Sequence, residues 1–188
     1  IIHEDTSLDY RVLDISVNTF NDAIPSYHHK TIGGYSPVKM QRYQDLIERY
    51  LTSEISSVYG AVSNAGTIQD IEAALPELPV TSALNGKYII IGADYPPVRN
   101  PYAKGNAWFV ENAVAAATPD EEIELIGAVD LGKTAVIGKD FEWAERFFAG
   151  AQNDNTDSIE LTAYAPNELR YSFGTSTERA AIFSEIYY

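Results

Sequence analysis

The chain has 188 residues, of which 45% are hydrophobic and 21% charged, and it contains no cysteine. This composition is typical of a folded globular protein and excludes disulfides and thiolate metal sites. The 13 basic and 27 acidic residues give a net charge of -14. Such a charge repels phosphate backbones and anionic lipid headgroups, so we expect no nucleic-acid partner.

The first half of the chain alternates strand patterns with helical ones. Residues 10–17 and the β-branched run at 87–92 predict two strands buried on both faces. A polar loop follows the first strand. Ser36 is then the expected N-cap and Pro37 the first residue of an amphipathic helix that ends near residue 53.

Capping patterns mark three further helices. Two of these predicted helices begin at a threonine with an acidic side chain three residues later, and the third ends at a glycine. The expected signals are a capping box at Thr67 and Asp70, a short helix over 80–85 ended by Gly86, and a capping box at Thr118 and Glu121.

The pattern changes to short strands after a proline-rich surface loop at 94–106. Apolar residues then recur mainly with period two, which is typical of half-buried strands. The elements expected in this half are strands at 107–115, 134–137, 158–165, 168–173 and 179–187, a helix at 141–148 and a polar turn at 152–157.

Together these patterns predict an α+β fold in two parts. Residues 1–106 are expected to form an α/β-like layer, and residues 107–188 a β-rich, sandwich-like portion. The chain begins at Ile1 rather than Met and stops at Tyr188 inside a strand-like pattern. We therefore expect it to be a piece of a longer protein, with its β-rich portion truncated.

The loop before the first helix is the strongest candidate for a binding site, because it combines charged, aromatic and glycine residues. Its backbone amides at a helix start, with a nearby lysine, would suit a phosphate or carboxylate. Alternatively, the glycines only allow a tight turn and Lys30 pairs with Asp22. The candidate binding residues are Asp22, Tyr27, His29, Lys30, Gly33, Gly34, Tyr35 and Arg42.

Other chemistries fit the same loop less well. Adjacent histidines such as His28 and His29 point to opposite sides of an extended chain, so we expect no metal site. The set Ser26, His29 and Asp22 has the residue types of a nucleophilic triad but lacks the strand–turn–helix setting. No catalytic residue is assigned, and no cofactor is expected.

Aromatic side chains suggest sugar recognition as a further possibility. Tyr27, Tyr35, Tyr102 and Trp108 would stack on sugar faces, while Asn21, Asp22 and Arg42 would bond hydroxyl groups. The alternative is that these aromatic side chains belong to the core or to an interface, because the chain has 13 tyrosines.

Several short motifs occur in order along almost the whole chain. They are NTFND at 18–22, SY at 26–27, HKTIGGY at 29–35, Lys39, RYQ at 42–44, ALNGKYII at 83–90, GNAWFV at 105–110, KTAV at 133–136, YAPN at 164–167 and FSEIYY at 183–188. This ordered set resembles the YfhO-type family of large bacterial membrane proteins, in the form of its Bacteroidetes branch.

The resemblance implies an extracytoplasmic domain on the periplasmic face of the inner membrane, attached to a multi-spanning region outside this chain. The membrane part of the family is similar to glycosyltransferases that use polyprenyl-phosphate sugars, and relatives glycosylate cell-wall polymers. The family's catalytic carboxylate would lie in that membrane region, so this chain is expected to bind a lipid carrier or a cell-envelope glycan without chemistry of its own. The competing expectation is a structural or protein-interaction module.

Overall fold

The computed structural model describes residues 2–141, 148 and 156–186. It contains both helices and strands, with the strands in several small sheets, so the predicted α+β class is confirmed. The chain divides into two compact units. One runs up to Gly105 and includes Ile186, and the other is Asn106–Glu185.

The first unit is built on a three-stranded sheet in the order β1-β2-β3. Strand β1 (Arg11–Asp14) runs parallel to β2 (Gly86–Ile90), and β3 (Val98–Arg99) pairs antiparallel with β2. Leu13 and Ile89 are fully buried in it. The two buried strands are therefore confirmed, whereas β3 lies in the stretch for which the sequence predicts only a loop.

One continuous helical segment follows the polar loop. It consists of α1 (Gln41–Leu46), a π-helical turn (Ile47–Leu51) and α2 (Thr52–Asn64). The prediction that it ends near residue 53 is wrong. Leu51 and Val58 are fully buried, and this tertiary packing outweighs the weak helix propensity of the serines beyond them.

The predicted helix start at Ser36 and Pro37 is also wrong. The N-cap is Met40, whose ψ of 136° is extended. Ser36 Oγ accepts a hydrogen bond only from Val38 N, at 3.3 Å, which forms a local turn. The chain remains outside the helix at Lys39, whose Nζ donates to Phe20 O at 3.2 Å, so it is held against the preceding loop.

The threonine caps are confirmed. Thr67 forms the full capping box with Asp70 at the start of α3 (Ile68–Ala74). Thr118 caps α5 (Pro119–Ile126) by accepting from Glu121 N, but Glu121 Oε2 accepts from Ala117 N at 2.8 Å, so the reciprocal half of the predicted box is not formed. Both patterns depend only on residues close in sequence, which is why they could be identified without the structure.

The short helix α4 (Pro79–Ala83) is also present, but Gly86 is not its left-handed residue. Asn85 takes that conformation, with φ of 56°, and asparagine tolerates it. Gly86 instead opens β2, where a Cβ atom would lie 2.6 Å from Thr81 Cγ2. The Glu54 carboxylate caps the N-terminus of α4, because it accepts hydrogen bonds from Val80 N and Thr81 N at 2.8 and 2.9 Å.

The N-terminal segment is fixed to β2 by a charged cluster around Asp5. The Asp5 carboxylate accepts from Lys87 Nζ at 2.6 Å and from Tyr88 OH at 2.8 Å. Burial opposes the charge on Asp5, but hydrogen bonds from Lys87, Ser7 and Tyr88 outweigh it and hold the pKa of Asp5 below its usual range. Burial, together with the Asp5 carboxylate, raises the pKa of Tyr88 to about 12.

This cluster predicts how stability changes with pH. Tyr88 stays protonated in the folded protein above its ordinary pKa of 10.0, so its contribution is complete below pH 10 and lost as pH rises towards 12. The slope should approach about 1.4 kcal/mol per pH unit. Asp5 has a lowered pKa, so its contribution is lost as pH falls below 3.8. Denaturant titrations from pH 9 to 12 should show a shallower decline for Tyr88→Phe, and an unchanged decline would contradict the cluster.

The described residues of the second unit form three two-stranded ladders. Strand β4 (Ala107–Val110) pairs antiparallel with β9 (Ala180–Phe183), and β5 (Asn112–Ala116) pairs parallel with β6 (Thr134–Gly138). A hairpin forms from β7 (Ser158–Ala165) and β8 (Glu168–Gly174). In the part that the structure describes, no ladder exceeds two strands, so no large sandwich sheet is present there.

The strand predicted over 107–115 is two strands that belong to different ladders. The break falls at Glu111, where Glu111 N and Asn112 N both donate to Lys133 O at 2.7 and 3.1 Å. The apolar pattern of residues 107–115 gives no indication that the strand is interrupted at Glu111. The predicted helix at 141–148 and the polar turn at 152–157 lie largely outside the described residues.

Candidate functional site

The second half of the polar loop is attached to β1 as a short strand-like segment. Val12 N donates to Lys30 O at 2.8 Å, and Ile32 N donates to Val12 O at 3.0 Å. Ile32 is only 1% exposed, and Tyr43 OH from α1 donates to Ile32 O at 2.6 Å. The loop therefore has a fixed backbone between the sheet and the helix.

The paired glycines are explained by backbone contacts. Gly34 N donates to Thr19 O at 2.7 Å, and Gly34 has φ of 110°. A Cβ atom on Gly33 would lie 2.0 Å from Thr19 O, so only glycine allows the two loop segments to approach. Gly33 N donates to Thr31 Oγ1 at 3.1 Å. Both amides are thus already hydrogen-bonded, and no helix begins beside them.

Lys30 forms an ion pair within the fold. Its Nζ donates to both oxygens of Asp9 at 2.8 Å, and the side chains are 33% and 6% exposed. The pairing of Lys30 with Asp22 is wrong, because Asp22 Oδ1 instead accepts from Ile24 N at 2.8 Å, just before the 3-10 helix Ile24–Tyr27. Lys30 and the glycine amides therefore stabilise the loop, and the structure gives no support for a phosphate at this position.

The other side of the loop is exposed. Tyr27 is 81% exposed and Tyr35 is 59% exposed. Ile24, three residues before Tyr27, is 60% exposed, and Val38, three residues after Tyr35, is 86% exposed; we call these four residues the exposed loop face. The second half of the loop is bonded to the turn that precedes Ile24, because Lys39 Nζ donates to Phe20 O and Gly34 N donates to Thr19 O.

The remaining predicted residues of the loop are polar side chains. Arg42 is exposed on the first turn of α1. The rings of His28 and His29 have centroids 6.4 Å apart. Among the described residues, no group of three or more His, Cys, Asp or Glu side chains is arranged to hold a metal ion.

Two predicted aromatic side chains do not belong to the loop. Trp108 is in the second unit, where its Nε1 donates to Leu131 O at 3.0 Å. Tyr102 follows β3, and its amide donates to Asn100 Oδ1 at 3.0 Å. Of the four aromatic side chains predicted to stack on sugars, Tyr27 and Tyr35 are the two on the polar loop.

The sequence did not reveal an open groove of about 560 Å³ between α2 and α3. Small side chains form most of its walls, and its one acidic residue, Asp70, is engaged by the Thr67 cap. The Ser-, Gly- and Ala-rich composition of this stretch is typical of a loop, which conceals the groove from sequence analysis. The lining residues are Ser57, Gly60, Ala61, Asn64, Ala65, Asp70, Ala74 and Pro76.

No protein-family model matches the sequence, and no curated protein or solved structure is significantly similar to the chain. The resemblance to the YfhO-type family therefore stays a prediction. Within the described ranges, none of the helices combines the length and the apolar character that crossing a bilayer requires.

Proposed function

We propose that the chain is a non-catalytic glycan-binding domain of a multi-spanning bacterial membrane protein, on the periplasmic face of the inner membrane. The observation that carries this proposal is the exposure of Tyr27 and Tyr35 on a loop whose backbone is fixed to β1. The ligand is a cell-envelope glycan acceptor or the sugar of a polyprenyl-phosphate sugar. The sequence resemblance supplies the setting, and the larger protein would be the glycosyltransferase.

Exposed tyrosines suit sugars for a physical reason. The apolar face of a sugar ring packs on an aromatic ring, and neighbouring polar groups bond its hydroxyls. Tyr27 is followed in sequence by His28 and His29, which carry such polar groups. Because Ile32 and Gly34 fix the loop backbone, little conformational entropy is lost when a ligand binds.

The charges near the loop favour the sugar over the phosphate of a carrier. Asp9 neutralises Lys30, and the amides of Gly33 and Gly34 already donate within the protein. An additional phosphate would thus find neither a free amide pair at these glycines nor an unpaired lysine at position 30. We therefore place the sugar, rather than the phosphate group, against the two tyrosines.

Replacement of both tyrosines tests the proposal. Tyr27→Ala with Tyr35→Ala should weaken binding of cell-envelope oligosaccharides by about tenfold or more, since stacking on one aromatic ring contributes about 1 kcal/mol. Both side chains are exposed, so the unfolding free energy should change by no more than about 0.5 kcal/mol. Calorimetric titration and thermal unfolding measure the two quantities.

Tyr95→Ala is the matched control, because Tyr95 is 61% exposed but lies between β2 and β3. It should bind glycans like the unmodified chain. Equal affinity of the double variant and the unmodified chain would contradict a binding role for the loop, as would an equal loss of affinity in the control.

The groove between α2 and α3 favours a second candidate function, a structural or protein-interaction module. Small side chains such as Gly60 and Ala61 allow another backbone to approach closely. The partner would be the protein's own transmembrane region or another chain. Gly60→Leu would fill the groove, and a loss of assembly without any loss of glycan binding would support this candidate.

A further inference from the structure

Asn85 and Gly86 form the only Asn-Gly pair in the sequence. In unfolded chains this pair loses ammonia more readily than other asparagine sites, because glycine leaves its own backbone nitrogen unhindered and its backbone free to rotate. That nitrogen attacks the side-chain carbonyl carbon of the asparagine. In the folded chain the pair lies where α4 ends and β2 begins, and Asn85 is only 4% exposed. A chemically labile pair is therefore buried in the first unit.

The fold requires both residues of the pair. Asn85 has φ of 56°, in the left-handed region that asparagine and glycine tolerate best. Its Nδ2 donates to Asp9 O at 3.0 Å, and this bond needs an amide side chain. A Cβ atom on Gly86 would lie 2.6 Å from Thr81 Cγ2 and 2.8 Å from Thr81 O. Neither residue can thus be exchanged for a less reactive one without the loss of a contact.

The same surroundings restrain the reacting groups. Asn85 O accepts from Arg11 N at 2.9 Å, and Gly86 O accepts from Asn100 Nδ2 at 2.8 Å. Arg11 and Asn100 are themselves buried. Ring closure has to turn the Asn85 side chain and the peptide groups on either side of it. The hydrogen bonds to Asp9, Arg11 and Asn100 must therefore open before the reaction can proceed.

We propose that Asn85 is a deamidation site that the native fold suppresses and that reacts when this part of the first unit opens. Gly86 N bonds to Asn85 Cγ, the Cγ–Nδ2 bond breaks, and the Gly86 amide proton leaves with the side-chain nitrogen as ammonia. Water then opens the succinimide ring at either carbonyl group, so position 85 becomes aspartate or isoaspartate. Glycan binding plays no part in this reaction.

The product does not restore the native contacts. An aspartate side chain has no N–H group to donate, and its carboxylate would face Asp9 O where water hardly reaches. An isoaspartate adds a methylene group to the main chain where β1 and β2 pair, next to the register position that joins Arg11 and Gly86. The polar loop is affected as well, because Asp9 holds Lys30. Deamidation thus makes a transient opening permanent.

Incubation of the 188-residue chain with and without denaturant, followed by mass spectrometry, measures the reaction. Trypsin releases residues 50–87 as one peptide, in which Asn64 is the internal reference because alanine follows it. In denaturant, Asn85 should convert faster than Asn64. Without denaturant, conversion at Asn85 should be about a hundredfold slower or more, because buried contacts leave about 1% of molecules open at most.

A core variant tests whether opening controls the rate. Ile32 Cδ1 would lie 2.7 Å from a Cβ atom on Gly86, so Ile32→Ala loosens the packing beside the pair. Conversion at Asn85 without denaturant should then be faster by about tenfold or more, and Ile32→Val should give a smaller increase. Phe173→Ala is the control, because Phe173 is 68% exposed in the second unit, and it should leave the rate unchanged.

Asn85→Asp tests the consequence of the reaction, and Asn85→Gly is its matched control. Glycine keeps the left-handed backbone, cannot deamidate and adds no buried charge. The aspartate variant should therefore unfold at a temperature about 3 °C or more below that of the glycine variant.

Four results would overturn the proposal. They are equal conversion of Asn85 with and without denaturant, conversion in denaturant no faster than at Asn64, no acceleration by either Ile32 variant, and Asn85→Asp as stable as the unmodified chain.

Discussion

Gly33→Ala should destabilise the protein by about 3 kcal/mol, as a forced overpacking does. The added Cβ atom would lie 2.0 Å from Thr19 O and 2.9 Å from Thr19 C. These are backbone atoms, and Thr19 is itself held because its Oγ1 donates to Asp14 O at 2.8 Å. Relief of the clash therefore requires separation of the two loop segments. Denaturant unfolding measures the loss of free energy.

Gly60→Ala is the matched control for this substitution. Gly60 lies inside α2, and a Cβ atom added there would meet no described atom within 4 Å beyond the backbone of its own helix. Alanine there should stabilise the protein by about 0.5–1 kcal/mol, because it has the higher helix propensity. If Gly33→Ala cost no more than ordinary surface substitutions do, the close approach of Gly33 to Thr19 would be contradicted.

Ile32→Ala should lower the free energy of unfolding by about 2–5 kcal/mol, and Ile32→Val by about 0.5–1.5 kcal/mol. Ile32 is 1% exposed, and its Cδ1 atom would lie 2.7 Å from a Cβ atom placed on Gly86. Truncation leaves a cavity between the loop and the start of β2. Chemical denaturation of the three proteins gives both differences.

Ile24→Ala provides the comparison within the same loop. Ile24 is 60% exposed, so its truncation should change the unfolding free energy by no more than about 0.5 kcal/mol. Similar losses of unfolding free energy for Ile24→Ala and Ile32→Ala would contradict the burial of Ile32 and the exposure of Ile24. Distinct losses would separate the residues that hold the loop from those available to a ligand.

Local patterns could be predicted from the sequence because all of their partners lie close together in the chain. The capping threonines Thr67 and Thr118 each bond to a residue three positions away, so both caps are confirmed, although only Thr67 forms the full capping box. Strand β1 was predicted from the alternating pattern of residues 10–17, and β2 from the β-branched run at 87–92. Ser36 shows the limit, because the same Ser-Pro pair that begins many helices here forms only a turn.

Long-range partners could not be predicted. Lys30 pairs with Asp9 rather than Asp22, and the choice depends on the left-handed backbone of Asp9, with φ of 46°, and on the attachment of the loop to β1. The role of Gly33 likewise depends on Thr19, which approaches only when the loop folds back. Sequence analysis identified the glycines as special but left open whether they bind an anion or only allow a tight turn.

Exposure of individual aromatic residues was also beyond the sequence. Tyr88 is 6% exposed and bonded to Asp5, whereas Tyr27 is 81% exposed. The two have the same side chain, and only the tertiary structure decides which one meets solvent. This is why sequence analysis could name the loop as a site but left open whether its tyrosines belonged to the core.

Chemical-shift mapping with a cell-envelope oligosaccharide tests the central claim most directly, because it locates the ligand on the folded chain. We expect the largest shifts at Tyr27, Tyr35 and their neighbours, with smaller changes at the amides of Gly33 and Gly34, which already donate within the protein. Shifts confined to the groove between α2 and α3, or none at saturating oligosaccharide, would contradict a glycan site on the exposed loop face.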